Sequence, residues 1–151
     1  MTPALEFILE AKVAIGDLVD LGSGPTGGRR MVPIIGGEFQ GPKFKGTILP
    51  GGADWQIVRP DGVLELDAHY ILQTTDNTRI AIRNRCLRHG PSEVLAKMMR
   101  GETVSPSSYY FRTSPVFSAP TGIYDWLNRF IFVGSGERQK NQVVIRVWRV
   151  A

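Results

Sequence analysis

Residues 63–87 read VLELDAHYILQTTDNTRIAIRNRCL and carry the clearest structural pattern in the chain. In the first half, apolar side chains alternate with polar and charged ones, which is the two-residue period of a β-strand with one buried face. Asp76-Asn77 is typical of a tight turn, and a second strand-like run follows it. We therefore predict a hairpin of two long strands, Val63 to Thr75 and Thr78 to Leu87.

Short strands separated by glycine and proline turns extend this pattern over most of the chain. The further predicted strands are Leu5 to Ile15, Met31 to Ile35, Glu38 to Gln40, Phe44 to Leu49, Trp55 to Arg59, Tyr109 to Phe117, Tyr124 to Leu127, Arg129 to Gly134 and Gln142 to Val150. One helix is predicted from Ser92 to Arg100, with Ser92 as its N-cap and Gly101 ending it. About eight to ten strands with so little helix indicate an all-β sandwich or a closed antiparallel barrel.

Two glycine-rich segments are predicted to be irregular. Gly22 to Arg30 has the composition of a flexible loop, and Gly134-Ser135-Gly136 has that of a hairpin bend. Neither has the spacing of a phosphate-binding loop or a dinucleotide-binding fingerprint. The two histidines, His69 and His89, lie in different segments, and no set of ligands has metal-site spacing. We therefore expect no cofactor and no metal.

The composition is ordinary for a globular protein with a moderate positive charge. A length of 151 residues favours a single domain over residues 1–151, and the net charge is +4. The basic residues are scattered and no nucleic-acid-binding module is recognisable, so nucleic acid is not an expected partner. No apolar run reaches membrane-spanning length, no signal peptide is visible, and a single cysteine, Cys86, excludes an internal disulfide. We expect a cytoplasmic protein that does not bind membranes.

The segment Gly51-Gly52-Ala53-Asp54-Trp55 is the sharpest candidate site. A carboxylate in an apolar pocket has a raised pKa and can act as a general base, and a tryptophan beside it supplies flat apolar contact. Because neighbours on a strand point to opposite faces, one of the pair faces a given pocket unless the turn rotates both. The alternative is that Trp55 belongs to the core and Asp54 caps the turn.

Other polar and aromatic residues at bends and on strand faces extend this candidate site. The predicted catalytic residues are Asp54 or Glu38 as the base and Arg112 as the group that holds a substrate oxygen. The predicted ligand-binding residues are Trp55, Asp67, His69, Tyr70, Tyr124, Trp126 and Asn128. For the strand at residues 63–75, either the apolar face is buried and the polar face solvated, or the polar face lines a ligand-holding lumen.

Several segments together resemble a bacterial and fungal family known as domain of unknown function 3237. They are Gly36-Gly37-Glu38-Phe39 with Gly41-Pro42, Gly46, Leu49 to Trp55, Leu66 to Tyr70, Phe111-Arg112-Thr113, Tyr124 with Trp126 to Asn128, and Gly134 with Gly136 and Arg138. The resemblance runs from about residue 30 to residue 150. It implies a single compact β-barrel of lipocalin-like appearance, and it implies no particular function.

Three functions remain open. The first is a small-molecule-binding barrel that catalyses proton transfer, such as isomerisation or elimination, on a carbonyl or carboxylate metabolite. The second is a carrier or sensor that holds an anionic small molecule without turnover. The third is a homo-oligomeric interaction module with no ligand. The expected partners are a small-molecule ligand and further copies of the chain.

Overall fold

The computed structural model describes residues 1–151 and contains ten β-strands, one α-helix and two short 3₁₀ helices. The strands are β1 (Leu5–Ile15), β2 (Val19–Gly24), β3 (Gly27–Gln40), β4 (Lys45–Ile48), β5 (Gly52–Val58), β6 (Leu64–Thr74), β7 (Arg79–His89), β8 (Tyr110–Ser118), β9 (Ile131–Arg138) and β10 (Gln142–Val150). The α-helix is α1 (Ser92–Met99), and the 3₁₀ helices are Pro106–Ser108 and Asp125–Asn128. The protein is therefore all-β with one short helix, as the sequence predicts.

All strands belong to one antiparallel sheet that closes on itself. β1 pairs with both β10 and β3, which joins the two ends of the strand order. β4 and β5 both lie between β3 and β6 and fill one position in the ring, while β2 extends β3 as a hairpin. The result is a closed barrel of eight strand positions, so the barrel prediction is confirmed over the sandwich.

Strand β6 has the alternation that the sequence predicts, and its apolar face points inward. The inward residues are all buried: Leu64, Leu66, Ala68, Tyr70 and Leu72. Glu65, Asp67 and His69 lie on the outer face. Of the two alternatives for residues 63–75, the structure shows the first: the apolar face is buried in the core and the polar face lies outside.

One end of the barrel is filled by aromatic side chains. Phe39 packs against Phe44 with ring centroids 5.3 Å apart, and Phe117 packs against Phe132 at 4.9 Å. The segment before β9 covers this end. It is predicted as a strand, but Asp125–Asn128 is a 3₁₀ helix. A strand would alternate its faces, whereas the adjacent residues Trp126 and Leu127 both pack on the core.

Two further predictions of local structure are wrong. Residues 22–30 form the β2–β3 hairpin instead of a loop. Gly134-Ser135-Gly136 lies inside β9 instead of at a bend. Glycine is needed there because a Cβ on Gly136 would lie 2.5 Å from the Phe111 ring, so the interior of the barrel has no room for a larger residue.

The helix α1 follows β7 and lies over the end of the barrel opposite the aromatic one. It begins at Ser92, with Pro91 in the N-cap position and no side-chain cap, so the predicted Ser92 cap is not formed. Gly101, with φ of 77°, follows its C-terminal end. Met98 packs against the core from this helix. None of the helices in the structure combines the length and the apolar character that a membrane crossing requires.

Candidate functional site

The barrel encloses a cavity of about 230 Å³ at the end covered by α1. Aliphatic residues from β1, β3 and β10 form much of its wall, and Met98 and Met99 contribute from α1. The polar residues that line it are Arg30, Asp54, Gln56, Tyr70, Asn84, Arg88 and Arg138. An apolar chamber with a few convergent polar groups is the usual form of a small-molecule site.

Asp54 points into this cavity from β5. Its Oδ1 atom is shielded from solvent and makes no hydrogen bond, although the residue as a whole is half-buried. Gln56 Nε2 donates a 2.8 Å hydrogen bond to Asp54 Oδ2, and Arg30 Nε donates a 2.7 Å bond to Gln56 Oε1. One carboxylate oxygen is therefore held in place and the other is free to accept a proton.

Burial raises the pKa of the Asp54 carboxyl to about 6. The Gln56 hydrogen bond and the positive charge of Arg88 act in the opposite direction but are outweighed. No other carboxylate lines the cavity. Asp54 is thus an isolated acid–base group that changes protonation close to neutral pH.

Three arginines surround the α1 end of the cavity. Arg88 is the last residue but one of β7, Arg138 ends β9, and Arg30 lies near the start of β3, and the antiparallel order brings these termini together. None of the three takes part in a salt bridge with a carboxylate. Arg88 is 8% exposed and its Nε atom has no hydrogen-bond partner. Burial and the charges of Arg30 and Arg138 lower the pKa of its guanidinium to about 10.

Further from α1, the cavity contains two neighbouring polar side chains, Tyr70 and Asn84. The Asn84 side chain lies close enough to the Tyr70 hydroxyl to act against the effect of burial on its pKa, but neither that hydroxyl nor Asn84 Oδ1, both buried, makes a hydrogen bond of normal geometry. Pairing through Ala68 places Asn84 level with Asp54. Burial raises the pKa of the Tyr70 hydroxyl, which therefore stays protonated at neutral pH. Buried polar groups in native proteins are normally paired, so these atoms indicate a bound molecule or water.

Cys86 also lines the cavity, between Asn84 and Arg88 on β7. Its Sγ lies 3.6 Å from the backbone oxygen of Asn84, and burial raises the pKa of the thiol. The thiolate is the reactive form of cysteine, and burial in this position suppresses it. Cys86 is therefore a small buried side chain of the wall, as the sequence indicates.

Of the sequence-predicted site residues, Asp54 and Tyr70 line the cavity. Trp55, Asp67 and Arg112 instead line a groove of about 1160 Å³ on the outer wall. Trp55 is 51% exposed, because it follows the inward-facing Asp54 on the strand. The structure therefore keeps the side chains of Trp55 and Asp67 away from Asp54, and Asp67 approaches that carboxylate through its backbone alone.

The prediction that Arg112 holds a substrate oxygen in the cavity is wrong. Arg112 lies between the inward-facing Phe111 and Thr113 on β8, so its side chain leaves the outer face. There its Nη1 donates a 3.0 Å hydrogen bond to the Phe111 carbonyl, and its guanidinium lies 5.7 Å from the Tyr110 ring. It cannot hold a substrate oxygen beside Asp54, because the barrel wall separates them.

His69 and Glu38 are likewise on the outside. His69 Nε2 lies 3.5 Å from Asp67 Oδ1, and Arg83 donates two hydrogen bonds to the same carboxylate. Glu38 lies beside Lys12 and Lys45 in a shallow surface depression. No group of three histidine, cysteine or carboxylate side chains is close enough to hold a metal ion.

Tyr124, Trp126 and Asn128 lie at the aromatic end. Tyr124 and Trp126 pack against Phe44 with ring centroids 5.8 and 6.1 Å apart. Asn128 bonds both backbone groups of Ala119, its Nδ2 donating at 2.9 Å and its Oδ1 accepting at 2.8 Å. These residues close the barrel and do not line the cavity.

Five cavity residues were missed from the sequence: Arg30, Gln56, Asn84, Arg88 and Arg138. The signal for two of them was present in β7, where the inward positions read Ile80, Ile82, Asn84, Cys86 and Arg88. Asn84 and Arg88 occupy positions on an otherwise apolar face, which predicts polar groups inside the barrel. This signal is hard to see in the sequence because the neighbouring Arg83 and Arg85, which lie on the outer face, make the whole segment look basic.

Comparison with known proteins agrees with the resemblance in the sequence. Residues 3–150 match the family described as protein of unknown function (DUF3237). The chain belongs to this family. It is 43% identical over 152 aligned positions, 99% of each chain, to a UPF0311 protein of Rhodopseudomonas palustris (strain ATCC BAA-98 / CGA009). Among solved structures, a conserved protein of unknown function from Rhodopseudomonas palustris has a TM-score of 0.97 at 41% identity and covers 100% of this chain and 99% of its own.

Two other similarities bear on the fold. A β-barrel-like protein from Acinetobacter baumannii AYE has a TM-score of 0.87 at 35% identity, covering 100% of this chain and 98% of its own. An enzyme from Penicillium herquei has a TM-score of 0.75 at 22% identity, covering 100% and 96%. In sequence, 80 residues are 31% identical to the hydroalkoxylation enzyme phnH of Penicillium herquei, 53% of each chain. The DUF3237 barrel is therefore distantly similar to an enzyme.

Proposed function

We propose that this DUF3237 protein catalyses proton transfer on a small carbonyl or carboxylate metabolite bound inside the barrel, with Asp54 as the general acid–base group. The observation that carries the proposal is the Asp54 carboxylate. Its Oδ1 is buried and free of hydrogen bonds, and burial brings its pKa to about 6. A base with a pKa near the working pH combines the ionised form with a strong tendency to take a proton.

Two neighbouring side chains position Asp54 for this chemistry. Gln56, itself held by Arg30, fixes Oδ2 and so orients Oδ1 toward the cavity. Oδ1 removes a proton from a carbon next to the substrate carbonyl, and the electron pair moves onto the carbonyl oxygen. In an isomerisation, the carboxylic acid so formed returns the proton to another carbon of the enolate. In an elimination, the electron pair returns to form a carbon–carbon double bond as the bond from the β-carbon to the leaving group breaks, and the carboxylic acid protonates that group. Neither reaction needs an oxidant or a reductant.

The name of the Penicillium herquei relative supports this class of reaction. A hydroalkoxylation adds an alcohol O–H across a carbon–carbon double bond, so a proton leaves oxygen and a proton is added to carbon. The short aligned segment supports acid–base chemistry in a barrel of this kind. The substrate of that enzyme is not carried over to this chain.

Deuterium incorporation tests the proposal on any small molecule that has an exchangeable C–H bond. A panel of small ketones and unsaturated carboxylates is incubated with the protein in D₂O, and exchange at carbon is followed by NMR. We expect catalysed exchange whose rate rises with pH through about 6, as Asp54 ionises. Asp54→Asn should abolish it.

Asp67→Asn is the matched control, because it removes a carboxylate from the outer face. It should leave the exchange rate unchanged. Exchange by Asp54→Asn at the wild-type rate would show that Asp54 is not the base. If compounds of the panel bind tightly and none of them shows catalysed exchange, the result would instead favour a carrier or sensor.

A further inference from the structure

The three arginines that lack a carboxylate partner, together with the neighbouring Tyr70 and Asn84 side chains, form two polar regions at different depths of one cavity. Asn84 and Arg88 both face inward from β7 and are four residues apart, which separates their Cα atoms by about 13 Å. Arg88 and Arg138 lie at the α1 end, and Asn84 lies level with Asp54. A ligand that reaches both regions carries polar groups at opposite ends.

The outer region has the chemistry of an anion site. Arg88 is buried and its Nε has no partner, although its guanidinium lies 5.6 Å from the Phe111 ring. Arg30 donates to Gln56, and Arg138 Nη1 donates to the backbone carbonyls of Gln139 and Lys140. No carboxylate forms a salt bridge with any of the three arginines. A buried cation without a partner is costly, and a guanidinium fork matches a carboxylate in geometry. The charge of Asp54 raises the pKa of Arg88 and Arg30, but neither arginine donates a hydrogen bond to it, because Gln56 holds one of its oxygens and the other has no donor.

The inner region has the chemistry of a site for an uncharged oxygen. The Tyr70 hydroxyl remains protonated and its oxygen has no partner, so it can donate a hydrogen bond to a carbonyl oxygen. Asn84, 1% exposed, is its polar neighbour: its Nδ2 can donate to the same carbonyl oxygen, whereas its unpaired Oδ1 can only accept. Two such donors beside Asp54 would bind the oxygen on which charge develops when Asp54 takes a proton.

The size and walls of the cavity limit the ligand further. An apolar cavity of about 150 Å³ holds benzene, so one of about 230 Å³ has room for about nine to twelve non-hydrogen atoms. Between the two polar regions, strand register places Leu66 and Cys86 on one side of the cavity and Gln56 and Arg30, which are hydrogen-bonded to each other, on the other. Val32 and Phe111 continue the apolar side at the levels of Asp54 and Arg88. The body of the ligand therefore lies against a largely apolar wall.

We propose that the cavity takes a small monoanion with an apolar body, whose carboxylate binds Arg88 and Arg138 and whose carbonyl oxygen binds Tyr70 and Asn84. This ligand assignment rests on the proposed function in one respect, since it places the carbonyl end beside Asp54. The ligand assignment is tested by binding and the proposed function by proton exchange, so a failure of one can be told from a failure of the other.

The probe is 4-acetylbenzoate, which has a carboxylate and a carbonyl at opposite ends of an apolar ring. Calorimetry compares it with 4-acetylbenzamide, which lacks the charge, and with 4-isopropylbenzoate, which has a methyl group in place of the carbonyl oxygen. We expect 4-acetylbenzoate to bind about tenfold or more tightly than the benzamide, the usual effect of a hydrogen bond to a charged group. It should also bind about fivefold more tightly than 4-isopropylbenzoate.

Two variants assign these preferences to residues. Arg88→Met should bring the benzoate-to-benzamide ratio close to one, and Tyr70→Phe should do the same for the acetyl-to-isopropyl ratio. Arg112→Met is the matched control, an arginine of the outer face whose loss should change neither ratio. If Arg88→Met fails to fold, Arg138→Met, at the end of β9, gives the same measurement.

A merely structural role of Arg88 would lower both affinities together and leave their ratio unchanged, which would overturn the proposal. Equal binding of 4-acetylbenzoate and its amide by the wild-type protein would overturn it as well, and so would no binding at millimolar concentration. Asp54→Asn should keep both ratios. If that variant also retains proton exchange, the binding site stands and the proton-transfer proposal fails.

Discussion

Asp54 and Trp55 are neighbours in the chain, but their side chains lie on opposite sides of the barrel wall. Asp54 Oδ2 accepts a 2.8 Å hydrogen bond from Gln56 inside the cavity, whereas Trp55 is 51% exposed on the outer wall. A strand alternates its faces, so a pair of adjacent candidate residues supplies one residue to the interior. Substitutions on the two sides of the wall should therefore have different effects.

Asp54→Asn should stabilise the protein at neutral and alkaline pH. The pKa of Asp54 is about 6 in the folded protein against 3.8 ordinarily, so the folded state binds the proton more tightly and wild-type stability falls as pH rises through this window. The loss amounts to about 3 kcal/mol above pH ~6, because one pKa unit corresponds to about 1.4 kcal/mol. Asparagine resembles the neutral acid and escapes this loss.

Urea unfolding at a series of pH values measures the effect. The free energies of unfolding of the two proteins should converge toward the acid side and separate as pH rises. Asp67→Asn should show the opposite sign above the acid range, because the Arg83 hydrogen bond lowers the pKa of Asp67. Parallel curves for wild type and Asp54→Asn would mean that the Asp54 carboxylate is hydrated in the folded state.

Gln56→Leu should raise the pKa of Asp54 further. The hydrogen bond from Gln56 favours the charged carboxylate and is the largest of the effects that lower its pKa. Its loss should move the ¹³C NMR titration of the Asp54 carboxyl to higher pH. Gln73→Leu is the control, because Gln73 makes a comparable 3.1 Å bond with Arg79 on the outer face; an equal shift in that variant would contradict the local explanation.

Gly136→Ala should destabilise the barrel by about 1–3 kcal/mol, the usual cost of overpacking. The added Cβ would lie 2.5 Å from the Phe111 ring, which is itself buried in the core. Gly24→Ala places its Cβ 3.6 Å from Arg29, an ordinary contact, and should change stability by less than about 0.5 kcal/mol. Thermal unfolding compares the two, and similar midpoints would show that the interior at β9 has spare room.

Asn128→Ala should reduce stability by about 1 kcal/mol without changing ligand binding in the cavity. The substitution removes both side-chain hydrogen bonds to the Ala119 backbone, at 2.8 and 2.9 Å, in an exposed position. Urea unfolding gives the first result and calorimetry with 4-acetylbenzoate the second. Weaker ligand binding would mean that the aromatic end takes part in recognition, as the sequence suggested.

The alternation in β6 and β7 predicts which residues share a face of each strand, because side chains along a strand repeat every two residues. It also contained the signal for Asn84 and Arg88, which interrupt an otherwise apolar inward face. The 3₁₀ helix at Asp125–Asn128 was not predictable in this way. Tyr124 and Trp126 are aromatic residues with the two-residue spacing of a strand face, and packing of Trp126 and Leu127 together on the core overrides that pattern.

The all-β class, the long hairpin of β6 and β7 and the choice of Asp54 as a candidate are predictable from the amino-acid sequence, because they depend on local period and side-chain chemistry. That Arg30, Arg88 and Arg138 share the cavity with Asp54 while Arg112 does not follows from the folded barrel. Closure of the barrel through the β1–β3 pairing brings distant strand ends together at the α1 end of the cavity. The order and register of strands across a closed sheet depend on pairings between distant segments, and those pairings leave no local pattern in the chain.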